Sequence, residues 1–230
     1  MDFKIMNIYA FYEPSNEPLI DHTDQNALIN LWIKSWSYYG WNPIIYSLKE
    51  CQECEGYDEY YKTCESYPTV NVKQYEMLCF LRWLYMSEVG GWYADLDMIN
   101  YGFEPVSYEN LVVTTNYYNV IHASCFYMQN EKYNDLINEI INYQVQPDDC
   151  IQLNNKTVPH ISDMHIMAKT KIKIDKCLSI YSEYKSGPTW EKDLIVHYTN
   201  CCWNRDINDH NKTRIDLISE DKRSKFFIIF

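Results

Sequence analysis

Glycine is scarce in this sequence, with 6 residues in 230, and two of the six stand side by side at Gly90-Gly91. Basic residues are also short. Lys and Arg number 20 against 32 Asp and Glu, giving a net charge of −12 and a pI near 4.9. That balance excludes a nucleic-acid backbone as the main partner, because no basic surface is in excess. An anionic nucleotide can still bind where a divalent cation mediates. Long apolar runs are missing as well: none approaches the roughly 18–20 residues of a membrane span. The opening Met1-Asp2-Phe3-Lys4 lacks a basic segment followed by an apolar one. The expectation is a chain with no signal peptide, membrane anchor or membrane span, cytoplasmic, or in a host cytoplasm or virion if viral. The cysteine count of nine is odd, so the thiols cannot all pair within the chain, and reduced cysteines are expected. Cys51-x-x-Cys54 with Cys64 begins like a zinc site, but no second pair follows at finger spacing.

What is present suits an ordinary globular fold. A 230-residue chain of 27.6 kDa fits one domain, residues 1–230, large enough to bury a core without covalent staples. Tyrosine is abundant, at 22 residues. The excess reflects either carbohydrate-stacking surfaces or a codon bias toward Tyr, Asn, Ile and Lys, and the abundance of Asn and Ile favours the second.

Lys4 to Phe11 is an apolar, β-prone run ended by Glu13-Pro14 and reads as a first, central strand. Asp24 caps a predicted helix to about Tyr39, with Gly40 as its stop. Asn42 to Leu48 reads as a second buried strand. Strand, helix, strand at this pace predicts a βαβ unit and a parallel sheet. Lys49 to Pro68 is polar and aperiodic and is read as a long surface loop. Asn71 to Val89 is a predicted helix, apolar nearly all round and therefore buried. Arg82 sits in its middle and needs a carboxylate or phosphate in reach. Strands are expected at Leu111–Thr115, Val120–Met128, Ile172–Ile174, Leu178–Tyr181 and Leu194–Tyr198, and helices at Asn134–Val145 and His160–Lys169. Ser186-Gly187-Pro188 reads as a turn, and the apolar tail Phe226–Phe230 as a docked edge strand.

The helix and the two glycines lead into Trp92-Tyr93-Ala94-Asp95-Leu96-Asp97-Met98-Ile99. Read as one strand, this places Tyr93, Asp95 and Asp97 on one face and Ala94, Leu96 and Met98 on the other. Two carboxylates that close repel unless a cation joins them. The pair Asp95 and Asp97 is therefore a candidate metal site at a sheet edge.

The run Cys79-Phe80-Leu81-Arg82-Trp83-Leu84 followed by Gly90-Gly91-Trp92-Tyr93-Ala94-Asp95-Leu96-Asp97 resembles a family pattern, a helix with Arg and then GG-x-Y-x-D-x-D. The pattern marks glycosyltransferases with an Asp-x-Asp motif, related to the yeast initiating mannosyltransferase, capsular-sugar transferases and the large clostridial glucosylating toxins. The resemblance extends over about Lys73 to Asn100. It is weaker at Tyr9–Pro14, at Ser162-Asp163-Met164, and at Ser186-Gly187-Pro188 with Val196-His197-Tyr198. It implies a GT-A fold, α/β with a Rossmann-like, mostly parallel sheet flanked by helices. It further implies Mn²⁺ (or Mg²⁺) with a nucleotide-diphosphate sugar as donor, and a glycan, protein or small-molecule acceptor.

On this resemblance Asp95 is similar to the carboxylate that contacts ribose and sugar, and Asp97 to the direct metal ligand. Arg82 resembles the arginine facing the donor or the Asp-x-Asp motif, or else pairs with a structural carboxylate. His197 either completes the metal and diphosphate contacts or is a core histidine. Phe11 and Tyr12 are placed to stack on the base, Trp203 to contact the diphosphate, and Trp92 to pack by the sugar; all four have ordinary packing as the alternative. Asp163 acts at the reaction centre or merely caps its helix. Many relatives carry Ser-Asp where this chain has Leu78 and Cys79, so the sugar is undefined. The function implied is transfer of a hexose from a UDP- or GDP-sugar to a hydroxyl, with retention of configuration. Two other readings stand beside it: a haloacid-dehalogenase-like phosphatase, which also uses Asp-x-Asp, and a non-catalytic nucleotide-sugar-binding relative.

Overall fold

A computed structural model describes residues 5–14, 24–107, 112–113, 125–169, 176–178, 181–183, 194–198 and 213–228. The first half alternates as the sequence predicts. β1 (Met6–Phe11) leads through α1 (Gln25–Tyr38) to β2 (Trp41–Tyr46), and the two strands pair in parallel from Met6–Trp41 to Phe11–Tyr46. Asp24 caps α1 by accepting from the Asn26 and Ala27 N–H groups at 2.9 and 3.2 Å. Pro43 lacks a ladder donor, and β2 tolerates it because it is the sheet's edge strand.

Residues 49–68, expected as a loop, instead hold α2 (Leu48–Gln52) and α3 (Tyr57–Ser66). Ser47 and Glu50 form a reciprocal capping box that starts α2. Gly56, at φ +78°, turns the chain into α3. Tyr60 and Cys64 then bury one face of α3. α4 (Lys73–Val89) follows, then β3 (Gly91–Ala94) and β4 (Met98–Asn100). The single strand expected over 92–99 is thus two strands, and Asp95-Leu96-Asp97 is the turn between them, closed by Met98 N–H donating to Asp95 O at 2.9 Å.

Later elements are β5 (Val112–Val113), β6 (Cys125–Met128), α5 (Asn130–Ile141), β7 (Cys150–Leu153), β8 (Lys156–Pro159) and α6 (Asp163–Lys169). Then come β9 (Lys176–Cys177), β10 (Tyr181–Glu183), β11 (Ile195–His197), α7 (Arg214–Glu220) and α8 (Lys225–Ile228). The tail expected as an edge strand is helical over Lys225–Ile228, where Phe227 packs against Tyr101 with ring centroids 5.8 Å apart. The expected strand Ile172–Ile174 and the turn at 186–188 lie outside the described residues.

Among the described residues six strands form the main sheet in the order β2-β1-β3-β6-β5-β9, with only β6 running against the rest. A second sheet, β10-β11-β4, stands beside it, and β7 and β8 form a hairpin. The architecture is α/β with a mostly parallel sheet flanked by helices. Strand alternation sorts the core into two layers. Ile8, Ala10, Trp92, Ala94, Cys125 and Tyr127 face α1 with its Trp32 and Trp36. Tyr9, Tyr93, Phe126 and Met128 face α4 and α5, with Phe80, Trp83 and Leu136 among their neighbours. Full burial of an aliphatic or aromatic side chain of this size is worth about 1.5–3 kcal/mol, so packing adds to the helix preference that the Leu, Met, Glu, Gln, Lys and Arg residues of α4 already carry.

Three cysteines, Cys51, Cys54 and Cys64, lie in the α4-side layer as free thiols, and burial pushes each up to about 12. Among the described residues these cysteines form no group placed to hold a metal ion. A polar knot ties α5 to α6 around Asp149. Its buried carboxylate accepts from Gln146 N at 2.6 Å and Tyr143 Oη at 2.8 Å, and pairs with Lys169 and, at 3.2 Å, His165. Among the described residues no helix is long and apolar enough to cross a membrane.

Candidate metal centre and its cleft

β1 has β2 on one side and β3 on the other. The chain therefore departs in opposite directions from the two sides of β1, and a crevice opens at the carboxyl ends of β1 and β3. Phe11 and Tyr12 stand at the end of β1, and Asp95 follows the end of β3. Together they line a cleft of about 330 Å³. α4 supplies another wall through Tyr75, Leu78, Cys79 and Arg82, which share one helical face at i, i+3, i+4 and i+7. Its outer end is open, with Tyr75 59% exposed, so the helix is not apolar and buried all round. Its inner end is charged.

Arg82 is the organiser of that inner end. Its Nη1 reaches Asp95 Oδ1 at 2.8 Å and its Nη2 reaches Asp163 Oδ2 at 2.6 Å. Nε donates to the Cys79 carbonyl at 3.0 Å, and the guanidinium lies 4.3 Å from the Trp83 ring centroid. The backbone is fixed as well, because Tyr46 Oη donates to the Arg82 carbonyl at 2.7 Å. Burial works against the Arg82 charge, but the Tyr93 oxygen, Asp163 and Asp95 outweigh it and hold the guanidinium firmly protonated.

Asp95 Oδ1 also accepts from Tyr93 Oη at 2.7 Å. Burial raises the Asp95 carboxyl above the usual carboxylate range, Arg82 opposes the rise, and Asp97 adds to it. Asp97 goes the other way. Burial pushes its carboxyl up, but His197 and then Arg214 outweigh the burial and hold it low. His197 Nε2 lies 3.0 Å from Asp97 Oδ1, and Arg214 Nη1 lies 3.5 Å from Oδ2. β11 delivers His197 by pairing antiparallel with β4, opposite Met98. The turn is further pinned where Tyr198 N–H donates to Asp97 O at 2.9 Å. Each carboxylate is ion-paired, and their side chains are 25% and 16% exposed, so Asp95 and Asp97 do not sit in a solvated turn.

Asp95, Asp97 and His197 each offer one donor atom, all within 4.8 Å of one another. An ion with ligand distances of about 2.1–2.5 Å spans about 4–5 Å between opposite donors. The set therefore fits a cation with little rearrangement. Two carboxylates and one imidazole suit Mn²⁺, with hard oxygen and borderline nitrogen ligands.

The predicted site residues fall into three groups. Asp95, Asp97, His197, Arg82, Phe11 and Tyr12 converge on the cleft or its charged end. Asp163 does not line the cleft. It is 2% exposed, accepts from Trp83 Nε1 at 2.9 Å, and stands behind Arg82 as its partner. Trp92 is buried on the α1 side, donating to Val106 O at 2.8 Å, and is a core residue. Trp203 lies outside the described residues. Sequence reasoning missed Arg214, Tyr93 as a hydrogen-bond donor to Asp95, and the α4 wall. Thr213-x-x-Asp216, a capping box, signals the helix that carries Arg214, but nothing local signals its pairing with Asp97. No protein-family model matches this chain, and a comparison with curated proteins finds no match.

Proposed function

We propose that the chain is a metal-dependent glycosyltransferase of GT-A type, moving a hexose from a UDP- or GDP-sugar to the hydroxyl of a glycan, protein or small-molecule acceptor. One observation carries the reading. Asp95, Asp97 and His197 come together at the charged end of a cleft that opens between the carboxyl ends of β1 and β3, the crevice where open α/β sheets bind nucleotides. The Gly-Gly turn, the Arg helix and the Asp-x-Asp spacing, which resemble that family, support the same conclusion.

In this reading Asp97 and His197 hold Mn²⁺ or Mg²⁺, with Asp95 beside them, and the ion supplies Lewis-acid stabilisation of the departing diphosphate. The protein's own groups do the rest. Arg82 fixes the Asp95 carboxylate through Oδ1. Phe11 and Tyr12 offer aromatic surface to the base at the other wall. Leu78 and Cys79 give the cleft an apolar flank. Configuration at the sugar is retained, as the resemblance implies.

A thermal-shift panel of UDP- and GDP-sugars, with and without Mn²⁺, tests the proposal. The expected result is a metal-dependent rise in Tm with one donor class. Phosphatase turnover with no nucleotide-sugar binding would sink it. Binding without donor hydrolysis would reduce the chain to a non-catalytic relative.

A further inference from the structure

Glu13 follows Phe11 and Tyr12 directly, and all three line the cleft. The β1–β2 pairing runs one residue past β1, with Tyr12 N–H donating to Tyr46 O at 2.9 Å. Glu13 Oε2 then accepts from the N–H of Leu48, the first residue of α2, at 3.0 Å. That amide is one an α-helix cannot satisfy internally. The side chain is therefore tied to the backbone that follows the neighbouring strand. Among the described residues no cation pairs with it.

A carboxylate only accepts hydrogen bonds, through two oxygens with about four lone-pair directions. One amide leaves capacity for two more donors. Such a group repels phosphate and suits an edge that offers N–H donors side by side. Among the common bases guanine alone presents that edge, with N1–H beside the exocyclic amine. Uracil presents one N–H between two carbonyl oxygens, and adenine and cytosine set an acceptor beside their amine. Ribose hydroxyls donate too, but Glu13 continues the aromatic wall of Phe11 and Tyr12, on which a base would stack.

We infer that Glu13 determines the donor base, selecting guanine over uracil, so that the donor is a GDP-sugar. The inference rests on the nucleotide-sugar site of the proposed function and narrows it to one base. With guanine the carboxylate takes N1–H and the amine together, a paired and charge-assisted contact. Uracil in the same place sets a carbonyl oxygen against an anion.

Calorimetric titration of the full chain with GDP, inosine diphosphate and UDP, each with Mn²⁺, tests the assignment. Inosine diphosphate stacks a ring of guanine's size without the exocyclic amine, so it separates hydrogen bonding from stacking. The wild type should bind GDP about tenfold tighter than inosine diphosphate, and UDP more weakly than both. Glu13→Gln keeps the side chain's shape and an oxygen for the Leu48 amide. Its amide pairs with N1–H and O6 of either purine, and with N3–H and a carbonyl of uracil. In that variant the preference for GDP over inosine diphosphate should fall toward none, and UDP should gain several-fold relative to GDP. A role confined to holding α2 predicts a lower Tm with the ratios among the three unchanged. Equal binding of GDP and inosine diphosphate by the wild type, UDP as the tightest ligand, or wild-type ratios in Glu13→Gln would each overturn the base contact and leave the glycosyltransferase reading standing. Binding of none of the three in the presence of Mn²⁺ overturns that reading and the inference together.

Discussion

Arg82 Nη2 meets Asp163 Oδ2 at 2.6 Å, and the same guanidinium reaches Asp95 Oδ1 with its other terminal nitrogen at 2.8 Å. One cation thus serves a carboxylate in the core and a carboxylate at the cleft. Removing it strands both. Arg82→Met is expected to lower stability by about 3–5 kcal/mol, the usual cost of breaking a buried pair. Arg82→Met combined with Asp163→Asn should recover part of that loss, because the core charge is gone as well. Urea midpoints of the three proteins check the order.

Asp97 faces His197 and Arg214 rather than Arg82, so its loss is a different experiment. Asp97→Asn keeps the side chain's shape and should keep the fold by circular dichroism. Mn²⁺ binding should be abolished and Mn²⁺-dependent donor hydrolysis should fall by about 10²–10³-fold, the scale for losing one preorganised electrostatic contact. Unchanged turnover would remove Asp97 from the metal site.

The two adjacent glycines separate two kinds of strain. Gly90 lies at φ +62°, and a Cβ there would run into the Asn130 side chain and stand 3.0 Å from its backbone N. Gly91 lies at φ +97°, with only Tyr9 Cε2 nearby, at 3.9 Å. Gly91→Ala should therefore carry the backbone cost alone, about 1–2 kcal/mol, and Gly90→Ala about 1–3 kcal/mol more, the added amount being for overpacking. Thermal unfolding ranks the two; equal Tm losses would contradict the steric account.

Acid sensitivity has a definite source away from the cleft. Burial alone would raise the Asp149 carboxyl, but the Gln146 N–H, Lys169 and Tyr143 overcome it and bring it down to about 2. A depressed carboxyl stabilises the fold above its unfolded value, about 3.9, and that stability is lost as pH falls toward 2. Asp149→Asn should be less stable than wild type at pH 6, and the gap should close between about pH 4 and about pH 2. Urea midpoints at those pH values decide it.

The elements that flank the site were legible because their signals are local. The Asp24 cap, the apolar face of α4 and the Gly-Gly pair each act within a few residues, and α1, α4 and β3 lie where those signals put them. The misreading of 49–68 has the same origin in reverse: Ser47-x-x-Glu50 is a local capping signal, overlooked among polar residues. The β7–β8 hairpin also went unread, although Asn154 and Asn155 adopt positive φ, a turn conformation Asn tolerates. Arg214 and Asp163 belong to another class. What they do is set by partners 117 and 81 residues away, and no short-range pattern encodes such pairings. The break at Asp95 was hidden because a strand and a strand–turn–strand can share the same alternation.

That break has a mechanical meaning. The chain leaves the six-stranded sheet after Ala94 and enters the three-stranded one at Met98. Asp95 is moored to the first through Tyr93 and to α4 through Arg82, and Asp97 to the second through His197 and the Tyr198 amide. The two carboxylates are therefore opposite lips of a seam. An ion held by both would act as a rivet through it, so that its binding energy is spent on stiffness between two sheets rather than on order within one loop. Amide exchange should then slow in β1, β3, β4 and β11 together when the site fills, and a seam without its rivet should breathe as a unit.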